Sequence, residues 1–277
     1  MPELPEMQAL AERLAESYAN QILSRVDLMQ FSALKTVSPG LGDLGGQNLE
    51  SVGRRAKYLL FELEAARLIV HLSQGGRIDF EAPAKRTKPK GSVARLVFGS
   101  GDAFLIKEYG TERKAALWVV EPAGLGPLEG LGPEPFDVEF EDLMLNSEDR
   151  RRVHTLLRDQ RFVAGIGRGF SDDVLHHARL SPFDSLASLD RDRRYDLISS
   201  IRTVLTEATE RERERTGGLP AKMGDRFTIH NRHGQACPRC GETLHRISYE
   251  SHEVTYCPNC QTGGKVLADR RLSRLLK

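Results

Sequence analysis

Met1-Pro-Glu-Leu-Pro-Glu6, continuing as Met7-Gln-Ala-Leu-Ala-Glu-Arg-Leu-Ala-Glu-Ser-Tyr18, is the stretch from which the rest of the reading follows. Leu4, Met7, Leu10, Leu14 and Tyr18 recur three or four residues apart, the period of a helix with one buried stripe. The spacing predicts a helix from Glu3 to about Tyr18. Pro2 is tolerated at such a start, and the helix dipole favours the carboxylate form of Glu3. Removal of Met1 would leave Pro2 as a free secondary amine beside Glu3. An amine of that kind attacks a sugar aldehyde carbon and forms a Schiff base. Its reference pKa of roughly 7.7–8 leaves a neutral fraction near pH 7. On these six residues alone, a helix-start proline and a nucleophile are both open readings.

Strand signals follow the helix. Ile22–Leu28 is one strand. Lys57–Leu63 and Arg67–Leu72, separated by a short Glu-Ala-Ala turn, form a hairpin. Ala94–Phe98 and Ala103–Lys107 form another across Gly-Ser-Gly-Asp, and Leu117–Val120 closes the series. A Pro- and Gly-rich stretch from Glu121 to Phe136 has no periodicity and reads as a linker. Helical segments come next: Glu139–Leu145, Arg150–Leu157, Ser171–Ala178 after a Gly165-Ile-Gly-Arg-Gly169 turn, and Arg191 to about Arg215. The last ends in alternating Glu and Arg, read as a solvated face, and Gly217-Gly218 stops it.

All four cysteines lie near the C-terminal end, as Cys237-Pro-Arg-Cys240 and Cys257-Pro-Asn-Cys260. Two such pairs at this separation predict a tetrahedral zinc site with Cys237, Cys240, Cys257 and Cys260 as ligands and no open position for chemistry. Leu244, Ile247, Tyr249, Val254 and Tyr256 between them alternate as in a β-hairpin. A disulfide framework is disfavoured, because no secretory signal is evident and no other cysteine exists.

The chain has 277 residues and a formal net charge of +1, so it is not uniformly basic. Charge is patterned instead. His230 to Lys277 carries eight Lys/Arg against four Asp/Glu, and Arg150-Arg151-Arg152 is a further basic cluster. Local clusters of this kind can face phosphates. The opening helix is acidic and amphipathic, unlike a targeting peptide, and no apolar run is long enough to span a membrane. An intracellular protein with reduced thiols is expected.

The MPELPE start, the hairpin lysine, the GIG turn between helices and the four-cysteine finger ending in CPNCQ together resemble the formamidopyrimidine-DNA glycosylase / endonuclease VIII family. The resemblance covers essentially the whole chain. It implies an α+β multidomain fold: an N-terminal β-sandwich with flanking helix (residues 1–121), a hinge (122–138), a helix–two-turn–helix domain (139–228), and a zinc finger with basic tail (229–277). It implies a DNA glycosylase with AP lyase activity. Pro2 would be the nucleophile, Glu3 the acid/base at the sugar oxygen, Glu6 a supporting carboxylate, and Lys57 a lysine reaching the active site and phosphate. The implied partners are one structural zinc ion and damaged or abasic DNA, duplex or single-stranded. The implied setting is a monomer in the bacterial cytoplasm, associated with the nucleoid.

Several positions depart from the family pattern. Arg168 stands where an Asn ordinarily binds phosphate, His252 where the finger hairpin carries an Arg, and His154 where a Lys is common. Together with Arg151 and His71, these are the expected DNA-contacting residues of the scaffold. Among the side chains that would fill the gap left by an everted base, Gln74 replaces a Met, Arg113 aligns with the usual Arg, and Ala115 falls where an aromatic wedge is expected. Lys107-Glu-Tyr109-Gly110 offers an alternative match for that wedge. The segment from Gly217 to Arg226 is shorter than the loop that caps an everted oxidised purine. These departures favour an endonuclease VIII-like preference over oxoguanine. A non-catalytic damaged-DNA-binding paralogue, and a zinc ribbon on an interaction scaffold, are the competing readings.

Overall fold

The computed structural model describes residues 1–110, 112–223, 226–249 and 252–267, and of Tyr249 and His252 the backbone. Two compact units emerge: Met1–Gly130 with Ala208–Gly224, and Leu131–Glu207 with Asp225–Lys277. The tail cluster Arg270, Arg271 and Arg274 lies outside the described residues.

In the first unit, helix α1 (Leu4–Tyr18) buries Leu4, Met7, Leu10, Leu14 and Tyr18, the stripe that its period demands. Eight strands follow: β1 (Ile22–Leu28), β2 (Gln47–Arg55), β3 (Tyr58–Leu63), β4 (Arg67–His71), β5 (Gly76–Glu81), β6 (Ser92–Phe98), β7 (Ala103–Glu108) and β8 (Ala116–Val120). Their order is β5-β7-β6-β1-β2-β3-β4-β8. Ile22↔Asn48 and Leu23↔Gln47 are the register pairs of β1 with β2. Phe61 of β3 stacks on Phe104 of β7 with ring centroids 5.4 Å apart. Those strands are four places apart in the order, which would separate them by about 19 Å if the sheet were flat. The two four-stranded halves therefore face each other, as a β-sandwich requires. Tyr18 of α1 enters the same core, stacked on Phe98 at 4.4 Å, while its hydroxyl donates to the Ala103 carbonyl at 2.8 Å.

Strands β2 and β5 escape the sequence pattern. In β2 a register shift between Leu49 and Ser51 against β3 places Leu49 and Val52, three residues apart, both inside. A bulge of this kind breaks the two-residue period on which a strand is recognised. Lys57 belongs to the turn before β3 rather than to the strand. The hairpin closes Arg55 onto Tyr58, leaving Ala56 and Lys57 as a two-residue loop with Ala56 at φ 54.

The second unit contains α2 (Val138–Asn146), α3 (Val153–Arg158), α4 (Arg168–His177), most of α5 (Arg191–Arg213), the hairpin β9 (His245–Tyr249) and β10 (His252–Tyr256), and α6 (Pro258–Thr262). Helices α3 and α4 are the helix–two-turn–helix pair. A Cβ on Gly169, in the first turn of α4, would lie 2.1 Å from the Phe227 ring, so any larger residue there must displace that ring. Among the described residues, no helix is long and apolar enough to cross a membrane.

The Phe61–Phe104 stack makes the sandwich sensitive to truncation. Phe61 is 1% exposed, and Phe61→Ala is expected to lower the stability of its unit by roughly 3–5 kcal/mol. A urea unfolding curve checks this; a loss below about 1 kcal/mol would show that the halves do not depend on the pair.

Candidate functional site

Glu3 is the residue before α1 and Pro5 lies in its first turn, so the helix starts where the sequence stiffens the backbone. Pro2, Glu3 and Glu6 are all buried. The Glu3 backbone N–H donates to Glu6 Oε2 at 2.7 Å. This bond satisfies an amide that a helix start otherwise leaves unpaired.

Helix α1 runs antiparallel to β2. At one end the Asn20 N–H donates to the Leu49 carbonyl at 2.7 Å. Further along, Arg54 Nε donates to Gln8 Oε1 at 2.8 Å. The start of the helix and the Ala56-Lys57 turn therefore lie at the same end of the pair. Lys57 is 5% exposed. His71, at the end of β4, pairs with Tyr58, and the two rings approach to 4.7 Å. Burial, reinforced by the nearby Lys57 charge, pushes the His71 pKa down to about 4. His71 is thus a neutral imidazole at pH 7.

Gln74 is exposed at the turn between β4 and β5. Tyr109 stands beside it: the Tyr109 N–H donates to the Gly75 carbonyl at 2.9 Å. A Cβ on Gly75 would lie 2.2 Å from the Tyr109 carbonyl oxygen. Tyr109 is 38% exposed, and the Lys107 ammonium sits 4.9 Å from its ring centroid. Arg113 is exposed. Ala115 is buried, and its N–H and that of Lys114 both donate to Glu108 Oε1 at 2.8 Å. Ala115 thus serves to close a loop, and the available aromatic is Tyr109.

The Glu-Arg run at the end of α5 is not a uniformly solvated face. Glu212 is 4% exposed. Arg215 donates to both its carboxylate oxygens, at 2.9 and 3.0 Å. Arg13 of α1 donates to the Glu212 and Gly217 carbonyls at 2.8 and 2.7 Å. The Glu212 hydrogen bond raises the Arg215 pKa, and the Glu6 charge adds to it. Arg215 therefore extends the charged surroundings of the N-terminal carboxylates. An alternating charge run gives no clue to which of its members is buried.

In the second unit, Arg168 is the exposed first residue of α4. A basic side chain there, at the positive end of a helix dipole, suits an oxyanion. Two residues expected to contact DNA have acidic partners within the protein. His154 is 4% exposed, and its Nε2 donates to Asp172 Oδ1 at 3.1 Å; the ring is buried. Arg151 is held by Asp149 and Asp159, each at 2.8 Å, and these hydrogen bonds raise its pKa. Its charge is compensated within the protein. His252 begins β10 opposite Tyr249; its side chain lies outside the described residues.

Asp172 and Asp173 of α4 organise the finger. Asp172 also accepts from His230 Nδ1 at 2.6 Å and from the Thr255 N–H at 3.0 Å. Burial raises its pKa, but the His154 and His230 hydrogen bonds outweigh that and leave it lowered. Asp173 accepts the N–H groups of Thr228, Ile229 and His230 at 2.7, 2.8 and 3.2 Å.

The four cysteine sulfurs lie within 4.8 Å of one another. Cys237–Cys260, Cys240–Cys257 and Cys240–Cys260 are 3.9, 3.5 and 3.4 Å apart. A tetrahedral zinc with bonds of about 2.3 Å places its sulfurs about 3.8 Å apart, so the donor set fits that ion. Four thiolates would hold it without an open position, and its contribution there is structural. His176 Nε2 lies 3.2 Å from Cys237 Sγ, the contact of an outer-shell donor. Gln261 of α6 accepts the Cys257 N–H and donates to the Leu180 carbonyl, both at 2.8 Å.

The His71 geometry gives a pH prediction. Its folded pKa near 4 lies below the unfolded reference of about 6.5. The unfolded chain takes up the proton first, so His71's contribution to stability is full above about 6.5 and is lost as pH falls toward 4. NMR titration should place the ring midpoint near 4, and Lys57→Met should move it upward. A midpoint near 6.5, unmoved by that substitution, would contradict the buried Lys57–His71 arrangement.

Comparison with known proteins agrees with this architecture. Residues 1–108 match the family model of the formamidopyrimidine-DNA glycosylase N-terminal domain, and residues 131–217 that of the formamidopyrimidine-DNA glycosylase H2TH domain. A formamidopyrimidine-DNA glycosylase of Stutzerimonas stutzeri is 33% identical over 277 residues, covering 94% of this chain and 100% of that protein. An uncharacterized formamidopyrimidine-DNA glycosylase-like protein of Mycobacterium tuberculosis is 39% identical over 157 residues, covering 56% of this chain and 99% of its own length. The Lactococcus lactis Fpg in complex with DNA containing an abasic site has the same fold, with a TM-score of 0.81, 24% identity and coverage of 94% of this chain and 99% of that one. With its sandwich and N-terminal carboxylates, helix–two-turn–helix pair and four-cysteine finger, the chain belongs to the formamidopyrimidine-DNA glycosylase family of DNA-binding repair glycosylases.

Proposed function

We propose that the protein is a bifunctional DNA glycosylase/AP lyase that works through a Schiff base on Pro2 and prefers pyrimidine or other non-oxoguanine lesions. The observation that carries this reading is the buried start of α1, where Pro2 precedes two buried carboxylates, at the same end of the α1–β2 pair as the Lys57 turn. The Pro2 nitrogen attacks C1′ and the damaged base leaves with the glycosidic electron pair. Glu3 delivers a proton to the ring oxygen as the sugar opens, leaving an iminium. That cation acidifies the C2′ proton; a carboxylate removes it, and the 3′ phosphate departs with the C3′–O electron pair. Water then hydrolyses the imine and restores the amine. Glu6 fixes Glu3 through its backbone N–H, and Lys57 offsets phosphate charge.

The lesion preference rests on Gln74 and Tyr109 as the exposed side chains of the turn region, and on the short segment after Gly217. Tyr109 supplies a ring for the gap that an everted base leaves. Arg168 and the α4 start bind backbone phosphate, and zinc fills the cysteine site. The setting proposed is a monomer acting on nucleoid DNA in a reducing bacterial cytoplasm, on duplex or single-stranded lesions.

Excision kinetics on a panel of lesions test the proposal. Glu3→Gln should slow base removal about 10²–10⁴-fold while DNA binding persists. Oxidised pyrimidines should be released roughly tenfold or more faster than 8-oxoguanine. Wild-type rates in Glu3→Gln would sink the assigned chemistry. Damaged-DNA binding without nicking by either protein would mark a non-catalytic paralogue instead.

A further inference from the structure

The loop between β5 and β6 reads Ala82-Pro-Ala-Lys85-Arg86-Thr87-Lys88-Pro89-Lys90-Gly91. The adjoining segment after β1 reads Met29-Gln-Phe31-Ser-Ala-Leu-Lys35-Thr-Val-Ser38. These two stretches together hold five basic residues, Lys35, Lys85, Arg86, Lys88 and Lys90, and no acidic one. They are neighbours in space. The Met29 and Gln30 N–H groups donate to the Val93 carbonyl at 2.8 and 3.0 Å, and Lys88 Nζ donates to the Met29 carbonyl at 3.2 Å.

The loop is anchored from beneath. Arg95 Nε donates to Glu81 Oε2 at 2.7 Å, and the two side chains are 4% and 3% exposed. Arg95 also donates to the Thr87 carbonyl at 2.7 Å, and the Lys85 N–H to Glu81 Oε2 at 3.0 Å. This buried pair fixes the backbone and neutralises its own charges. Lys85, Arg86, Lys88 and Lys90 remain exposed, and among the described residues no carboxylate pairs with them or with Lys35. Beside them Phe31 is 82% exposed. Its backbone is anchored: Phe31 opens a 3-10 turn whose Ala33 is fully buried, and the Leu34 and Lys35 N–H groups donate to Phe31 and Leu117 carbonyls at 3.2 and 2.8 Å.

An exposed ring on an anchored backbone, bordered by uncompensated cations, is the combination that holds single-stranded nucleic acid: cations track the phosphates, and the ring stacks an unpaired base. Duplex DNA, with its bases already stacked, would use the cations and leave the ring idle. Strand β5 separates this patch from the Gln74 turn by six residues, roughly 20 Å at about 3.3 Å each. We propose that the β5–β6 loop and Phe31 form a second nucleic-acid contact, specific for a single-stranded segment and separate from the lesion-processing residues. The assignment does not rest on the lyase chemistry, because the patch shares no residue with it.

Fluorescence anisotropy of full-length protein with unmodified oligothymidine, measured across a salt series, tests this. Phe31→Ala should weaken binding about fivefold or more without changing the salt slope. The combined variant Lys85→Gln, Arg86→Gln, Lys88→Gln and Lys90→Gln should lower that slope by about 3. Nicking of abasic duplex should be unchanged in both, which also reports that they fold. Wild-type affinity and slope in both variants would overturn the proposal. So would a quadruple variant that weakens duplex and single strand alike while Phe31→Ala is silent, since no base would then be stacked on the ring.

Discussion

The hydrogen bond from the Glu3 N–H to the fully buried Glu6 carboxylate sets the position of everything at the N-terminal end. A chain terminus is ordinarily the least constrained part of a protein. Here the first turn of α1 is closed by its own third residue, and Pro5 restricts the backbone at the same place. The helix is then held along its length: Tyr18 is locked into the sandwich core, Arg54 binds Gln8, and Arg13 binds the backbone of the segment that follows α5. A residue two places before such a helix has little freedom left. Pre-organisation of this sort is what a nucleophile needs, because misplacement by an ångström is costly in rate.

The second unit depends on a different device. Asp172 and Asp173 project from α4 and together accept hydrogen bonds from two histidines and four backbone N–H groups. Buried carboxylates without such partners would be strongly destabilising. With them they join α3, the segment around Ile229 and the finger hairpin into one polar core. The cysteine cluster lies against the end of the same helix through His176 and Arg239, whose guanidinium donates to the His176 carbonyl at 2.7 Å. The cysteine cluster and the helix–two-turn–helix pair are thereby coupled through α4.

Much of this was legible in the residues, for physical reasons that differ by element. The helix stripe and the cysteine spacing are strict repeats, so α1 and the cysteine cluster follow directly from them. Strand β2 was hidden by its bulge, and α6 is too short to show a period. The side-chain roles were harder. His154 and Arg151 look alike as basic residues near a turn, yet one is sealed against Asp172 and the other is claimed by two aspartates. Charge type is visible in a sequence, but the acidic partner that consumes it is supplied by folding. The same applies to Glu212, buried out of a run that reads as solvent-facing, and to the half-buried Arg215 that pairs with it. Tyr109 rather than Ala115 is the aromatic at the turn, because the loop after β7 folds back on Glu108.

The central claim is a free secondary amine at Pro2. Intact-mass measurement of the protein as it is made in cells, paired with peptide mapping of its borohydride-reduced complex with abasic DNA, addresses it directly. The predicted result is a chain lacking Met1, with the reduced sugar attached to the peptide that begins at Pro2. A chain that keeps Met1 and still cleaves abasic DNA, or an adduct mapped to a lysine elsewhere, would contradict the account.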